Sequence, residues 1–251
     1  MIHSAAPLYV QIAQQLRNNI QAGVYKVGDR LPPESQLSQQ FSVNRNTIRQ
    51  AISLLKQEGL LRSQRGSGTF VAAPIRYAIG QRVRYNEALK AQGHSAAFTL
   101  IRAVEVSADV SVAKKLSIEQ GAPVAHVERL GTADDEPISV GSGYFPLARF
   151  PDLLSEESIS YLVEVGSISR WLRDRYAIDH IRLSTSVSAR LVQPRDAKML
   201  ELPLNQAILL AESVNADQQG RLIEYGVARL RGDRMEMVFD NVAKASKATH
   251  D

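Results

Sequence analysis

The segment LPPESQLSQQFSVNRNTIRQAISLLKQEGLLRSQRGSGTFV, residues 31–71, constrains this chain most, because its punctuation admits little besides two short helices and a glycine-tipped hairpin. Pro33 needs no N–H at a helix start, and Glu34 in the first turn complements the helix dipole. Leu37 and Phe41 give that helix an apolar side, and Ser42-Val43 break the period before Asn44, a residue type that caps helices well. Ile48, Ala51, Ile52 and Leu55 form the apolar face of a second helix, which Gly59 stops. Its opposite face carries Arg45, Asn46, Thr47 and Arg49. A helix that reads the major groove enters it N-terminal end first, so these side chains are placed for DNA. Arg45, then Arg49, suits bidentate contact to guanine, and Asn46 and Thr47 suit a base or a phosphate. In isolation, a merely solvated helix face has the same pattern.

The hairpin separates the two readings. Leu60-Leu61-Arg62-Ser63 and Thr69-Phe70-Val71 flank Gln64-Arg65-Gly66-Ser67-Gly68, whose glycines allow a tight tip and close backbone approach to another molecule. A phosphate-binding loop would need a buried strand entering the glycines and a helix leaving them, and neither is present. Glu34, Arg45, Asn46, Thr47, Arg49, Arg65, Gly66 and Gly68 are therefore the expected DNA-facing set.

Charge follows this division. Residues 1–76 hold 9 Lys+Arg against 3 Asp+Glu, and residues 77–251 hold 21 against 23, so +6 and −2 make the net +4. A basic field attracts phosphates without naming a sequence. The absence of cysteine excludes disulfides and thiolate chemistry and fits a reducing cytoplasm. Apolar runs are short and flanked by charge, so neither a membrane span nor an export signal is expected. The five histidines share no metal-ligand spacing and read as surface or cap residues; no cofactor and no metal site is expected. No nucleophile elbow or paired-carboxylate motif argues for an enzyme.

After a connection at 73–80, the remainder from 81 to 251 alternates helix-like NEALKAQG with strand-like AAFTLIRAVEV, VAHVERLGT, ISVGSGYF, HIRLSTSVSARL, AILLAESVNA, RLIEYGVARLR and RMEMVFD. Turns at Asp134-Asp135-Glu136-Pro137 and Asp217-Gln218-Gln219-Gly220 predict hairpins. Val112-Ala113-Lys114-Lys115-Leu116 echoes Asp196-Ala197-Lys198-Met199-Leu200, with Glu128 facing Glu212 and Gly141 facing Gly226, which reads as a duplicated unit with a cleft between its halves. Arg129 and Glu224 stand on apolar strands, and Gly166-Ser167 opens the helical SISRWLRDRY, whose free N–H groups suit an anion. Arg129 and Glu224 can equally form a cross-strand ion pair, and Ser167 can merely cap its helix.

The ordered helix, PPES turn, basic helix and GSGTF wing, with PLYVQIAQQLRNNIQAGVYKVGDRLPPES before them, resemble the GntR family of bacterial transcription regulators. The strand-rich remainder is similar to the HutC branch. Val43-Asn44-Arg45-Asn46-Thr47, IGQRVRYNEALKAQG and EYGVARLRGDRM resemble its phosphonate-metabolism regulators. The resemblance implies an α+β chain: a winged helix-turn-helix at 1–72, and an effector-binding and dimerisation (UTRA) domain of chorismate-lyase-like antiparallel fold at 81–251. It implies a cytoplasmic homodimer, most simply a repressor, released from palindromic operator DNA by a small anionic effector. Arg129, Ser167 and Glu224 match the family's ligand-gripping positions, with Gly166 beside them, and Arg84 and Asn86 occupy the entry segment. Gly131, Ser169 and Leu230 depart from the sugar-phosphate sensors, where an arginine, an aromatic and a tyrosine are usual. Arg84, Arg182, Arg229 or Arg231 can replace the missing charge. Two alternatives stand beside this reading: a second domain that only dimerises, and a lyase-like enzyme tethered to DNA.

Overall fold

The computed structural model describes residues 6–64, 67–80 and 85–239, so Arg65, Gly66 and Arg84 lie outside the described residues. Helices α1 (Leu8–Gln21), α2 (Glu34–Gln40) and α3 (Arg45–Gln57) precede a hairpin of β1 (Leu61–Gln64) and β2 (Gly68–Val71). Ile12, Leu16, Leu37, Ile48, Ile52, Leu55, Leu61 and Val71 share one buried core, so the apolar spacing of α1 and α3 is what joins the helices to the base of the wing. Pro33 occupies the cap of α2, one residue before its first turn. Gly59 ends α3 at φ 74°.

Strand β3 (Ile75–Ala78) follows β2 closely and pairs in parallel with the distant β10 (Met235–Val238). The stretch 73–80, expected as a connection, thus contains a strand with Ile75 and Tyr77 buried. After α4 (Tyr85–Ala91), a six-stranded antiparallel sheet is built from β4 (Ala96–Ser107), β5 (Pro123–Ala133), β6 (Glu136–Pro146), β7 (Ile181–Leu191), β8 (Ala207–Ala216) and β9 (Leu222–Arg231). Its order is β4-β5-β6-β9-β8-β7. Helix α5 (Val110–Leu116) lies between β4 and β5 in the chain, and α8 (Pro194–Leu200) between β7 and β8. Two strand-helix-strand-strand units therefore meet at β6 and β9, which is the duplication that the sequence echo suggests. Both helices end on a left-handed residue, Ser117 and Glu201.

The sheet has two differently covered faces. Val124, Val140 and Tyr225 pack with α5 and α8 on one. On the other, Ala125, Val127 and Phe145 meet α6 (Glu156–Val165) and α7 (Ile168–Tyr176), with Trp171 at the centre. Ala133, Ile138, Ala211 and Leu230 on that same face meet β3, β10 and α4. A gap between these two covers opens over the middle of the sheet.

The helix-and-hairpin part at the N-terminus touches the sheet-bearing part that follows. Gly59 lies against the turn between β9 and β10 so closely that a Cβ there would stand 2.2 Å from the Asp233 carbonyl oxygen. Beside it, Gln206 Nε2 donates to the Gln57 carbonyl at 3.3 Å.

Candidate functional site

Asn44 builds the N-terminal end of α3, the end expected to face DNA. Its side-chain oxygen accepts from the Thr47 backbone N–H at 2.8 Å and from the Thr47 hydroxyl at 3.1 Å, which commits that hydroxyl to the cap. Arg45, Asn46 and Arg49 are exposed beyond it. Glu34 reaches across from α2 and accepts from Arg49 Nε at 2.7 Å, so its carboxylate positions an arginine. Leu31 N–H donates to the Thr69 carbonyl and Val71 N–H to that of Asp29, which ties the wing to the chain before α2. Gly68 takes φ 119°, and a Cβ there would meet Arg30 Nε at 2.8 Å. Arg30, which precedes α2, thus packs against the wing, a neighbour recognisable only from the structure.

The gap over the sheet is a cavity of about 170 Å3. Its floor is made of small residues, among them Gly131, Gly141, Gly226, Ala211 and Ala228. Beside this floor, glycine is also dictated sterically: a Cβ on Gly143 would stand 2.7 Å from the Phe145 ring and 2.8 Å from Glu224 Oε1. Asn86, Arg129, Gly166, Ser167, Ser169 and Glu224, expected at the effector site, all line the cavity. Asn86 Nδ2 donates to the Gly166 carbonyl at 2.5 Å, which holds α4 against the α6–α7 junction. Ser167 caps α7, accepting from the Arg170 N–H at 3.3 Å, so its structural and cavity-lining roles coexist. The Arg129 guanidinium lies 5.4 Å from the centroid of Phe98.

Arg229 and Arg231 are corrections. Residues of β9 alternate between faces, and Arg229 projects away from the cavity, where it donates to Ser142 at 3.0 Å and pairs with Asp196 of α8 at 3.2 Å. Arg231 pairs with Asp233 at 2.6 Å. Among the described residues, the arginine that lines the cavity together with Arg129 is Arg182. Its terminal nitrogens donate to the Tyr77 hydroxyl at 3.0 Å and to the Gly80 carbonyl at 3.2 Å.

Glu224 is not in cross-strand register with Arg129. β6 lies between their strands, and Glu224 Oε2 takes a 2.6 Å hydrogen bond with His180 Nε2 and a 2.7 Å bond from Asn215 Nδ2. Burial alone would raise the Glu224 pKa, but His180, Arg129 and Asn215 outweigh it and hold the group below its ordinary value. His180 continues to Ser169, Nδ1 to Oγ at 2.9 Å. His180 and His126 are buried at 4% exposure, contrary to the surface or cap role expected of the histidines. Nothing local distinguishes His180; its partners come from a helix, α7, and a strand, β9.

Residues 8–71 match the family model of the bacterial regulatory proteins of the gntR family, and residues 91–236 match that of the UTRA domain. The chain belongs to the GntR family, with a UTRA domain. It is similar to the HTH-type transcriptional regulator RB1450 of Rhizobium meliloti, 31% identical over 92% of this chain and 93% of the relative. It is 28% identical to GgaR, an HTH-type transcriptional regulator of Escherichia coli, over 90% of this chain and 88% of that one. The crystal structure of PhnF from Mycobacterium smegmatis superposes with a TM-score of 0.63 at 30% identity, covering 93% of this chain and all of that one. This GntR-family chain is thus a DNA-binding transcriptional regulator and not an enzyme. No helix among its described residues is long and apolar enough to cross a membrane.

Proposed function

We propose that this regulator is a cytoplasmic repressor, released from a palindromic operator when a small anion, a phosphonate or a phosphate ester, enters the cavity. The observation that carries the reading is the convergence of Arg129 and the N-terminal turn of α7 on one space lined by small residues. Guanidinium groups and helix N–H groups are the usual partners of phosphate oxygens. The volume lies below the ~300–1,000 Å3 of pockets that enclose drug-sized ligands, so the occupant is metabolite-sized. The phosphonate class rests on the resemblance of the α3 entry, residues 79–93 and residues 224–235 to phosphonate-metabolism regulators. The working unit is a homodimer with reading heads at 1–72 and sensors at 81–251, because one short helix contacts too few bases and two-fold pairing doubles them.

Ligand drives release only if it binds one domain arrangement better than the other. A thermal-shift screen of phosphonates, phosphate esters and aromatic acids, followed by gel shifts with the stabilising compounds, tests the reading. The expected result is a stabilising anion that also frees operator DNA. Silence across the screen, with intact operator binding, favours a second domain that only dimerises.

A further inference from the structure

Away from Arg129 and the α7 turn, the cavity has a second polar cluster on β7 and β8. Arg182 and Asn215 are register partners there, and Thr185 stands opposite Ser213. All three of Arg182, Thr185 and Asn215 line the cavity. Asn215 is 2% exposed. Its amide orientation is determined, because Nδ2 donates to Glu224 at 2.7 Å and an ionised carboxylate only accepts. Oδ1 is left as an acceptor, buried in the cavity wall with no hydrogen-bond partner among the described residues. Arg182 uses its terminal nitrogens on Tyr77 and Gly80, and its Nε–H is likewise buried without a partner among them. The Thr185 hydroxyl is a third such atom. Buried polar groups without partners are uncommon in native folds, and three of them on the wall of one cavity mark where a ligand completes the network.

Their chemistry selects the ligand group. A hydroxyl donates one proton, which Asn215 Oδ1 can take, and accepts through its lone pairs, which the Arg182 Nε–H can fill; Thr185 serves in either role. A methyl or methylene group satisfies none of them. An ammonium group satisfies Asn215 but offers Arg182 no lone pair and meets its positive charge. We propose that the effector carries a hydroxyl group at the end remote from its anionic group, and that Arg182, Thr185 and Asn215 recognise it. The inference rests on the anion-site reading given above, and it narrows the effector to a small hydroxylated anion, with alkyl and aminoalkyl analogues discriminated against.

Calorimetric titration of the full chain with glycerol phosphate, propyl phosphate and aminopropyl phosphate tests this. Glycerol phosphate is expected to bind roughly ten- to a hundredfold more tightly than propyl phosphate, as a site with buried unmatched polar groups rejects the analogue that lacks the partner. Aminopropyl phosphate is expected to bind no better than propyl phosphate. In Thr185→Val, which keeps the shape and branching of the side chain, that advantage shrinks severalfold while propyl phosphate binds as before. Equal affinity of the three esters for the unaltered protein overturns the hydroxyl subsite and leaves the anion site standing. An advantage undiminished in Thr185→Val overturns the placement of the hydroxyl on this cluster. Absence of binding by all three, in protein with a normal thermal transition, overturns both readings together.

Discussion

The Arg182 guanidinium donates to the Tyr77 hydroxyl at 3.0 Å and lies 5.7 Å from the centroid of its ring. Arg182 belongs to the cavity wall on β7, and Tyr77 to β3, the strand that follows the wing. This contact therefore joins the cavity to the segment that follows the wing. Tyr77→Phe keeps the ring and removes the acceptor. Operator affinity without effector should stay within about twofold, and the effector concentration for half-release should rise about fivefold or more, since hydrogen bonds to charged groups contribute ~1.5–3 kcal/mol. Fluorescence anisotropy of labelled operator measures both; superimposable release curves would remove this contact from the coupling.

Arg45 begins α3, the helix proposed to read DNA, and is exposed. Arg45→Ala should lower the preference for operator over random DNA by about 1–3 kcal/mol, the worth of one bidentate base contact. Competition gel shifts read this ratio directly, and an unchanged ratio would exclude Arg45 from base reading. Glu34→Gln should change stability by less than about 1 kcal/mol, because the Glu34–Arg49 pair is solvent-exposed.

Arg129→Ala should bind operator normally and fail to respond to the anion. Loss of a charge-assisted contact weakens effector binding by roughly 1.5–3 kcal/mol, or about ten- to a hundredfold. Melting temperature measured on the same variant distinguishes this from a structural role, which would lower stability with and without ligand and spare the response.

Asp217, at the β8–β9 turn, is fully buried and accepts from the N–H groups of Gln219 and Arg221, from Arg221 Nε at 2.7 Å and from Arg149. Burial raises its pKa, but these donors overcome it and hold the group well below the ordinary carboxylate range. A carboxylate with a depressed folded-state pKa contributes stability that is present above its unfolded value, about 3.9, and is lost as pH falls through the folded value. Asp217→Asn should therefore cost roughly 2–3 kcal/mol near neutral pH. Urea titrations of both proteins at successively lower pH should show the difference narrowing below about pH 4.

Gly59→Ala meets two obstacles, a left-handed φ of 74° and the Asp233 carbonyl oxygen 2.2 Å from the new Cβ. Strain of about 1–3 kcal/mol is expected, with relief by separation of the reading head from the β9–β10 turn. Limited proteolysis should cut the variant faster between the two halves than the unaltered chain, and equal rates would mean that the contact does not restrain the domains.

The local elements of this protein were legible in its residues because their causes are local. Asn44 caps α3 through a group three residues away, Gly59 ends it by its own backbone freedom, and Asp134 and Asp135 turn a hairpin at φ 52° and 64°. The duplicated unit was legible as well, since a repeated fold leaves repeated spacing. Arg129, Ser167 and Glu224 could be singled out by type and by resemblance, yet the faces of Arg182, Arg229 and Arg231 could not. One residue of shift reverses a strand's facing, and irregularities at Arg182/Ser184 and Asn215/Ala216 break the simple alternation. Nor does any local signal pair β3 with β10 or bring His180 between Ser169 and Glu224. Such partners are chosen by burial over long sequence separation, where a polar side chain gains its hydrogen bonds only after the sheet and its covering helices have closed around it.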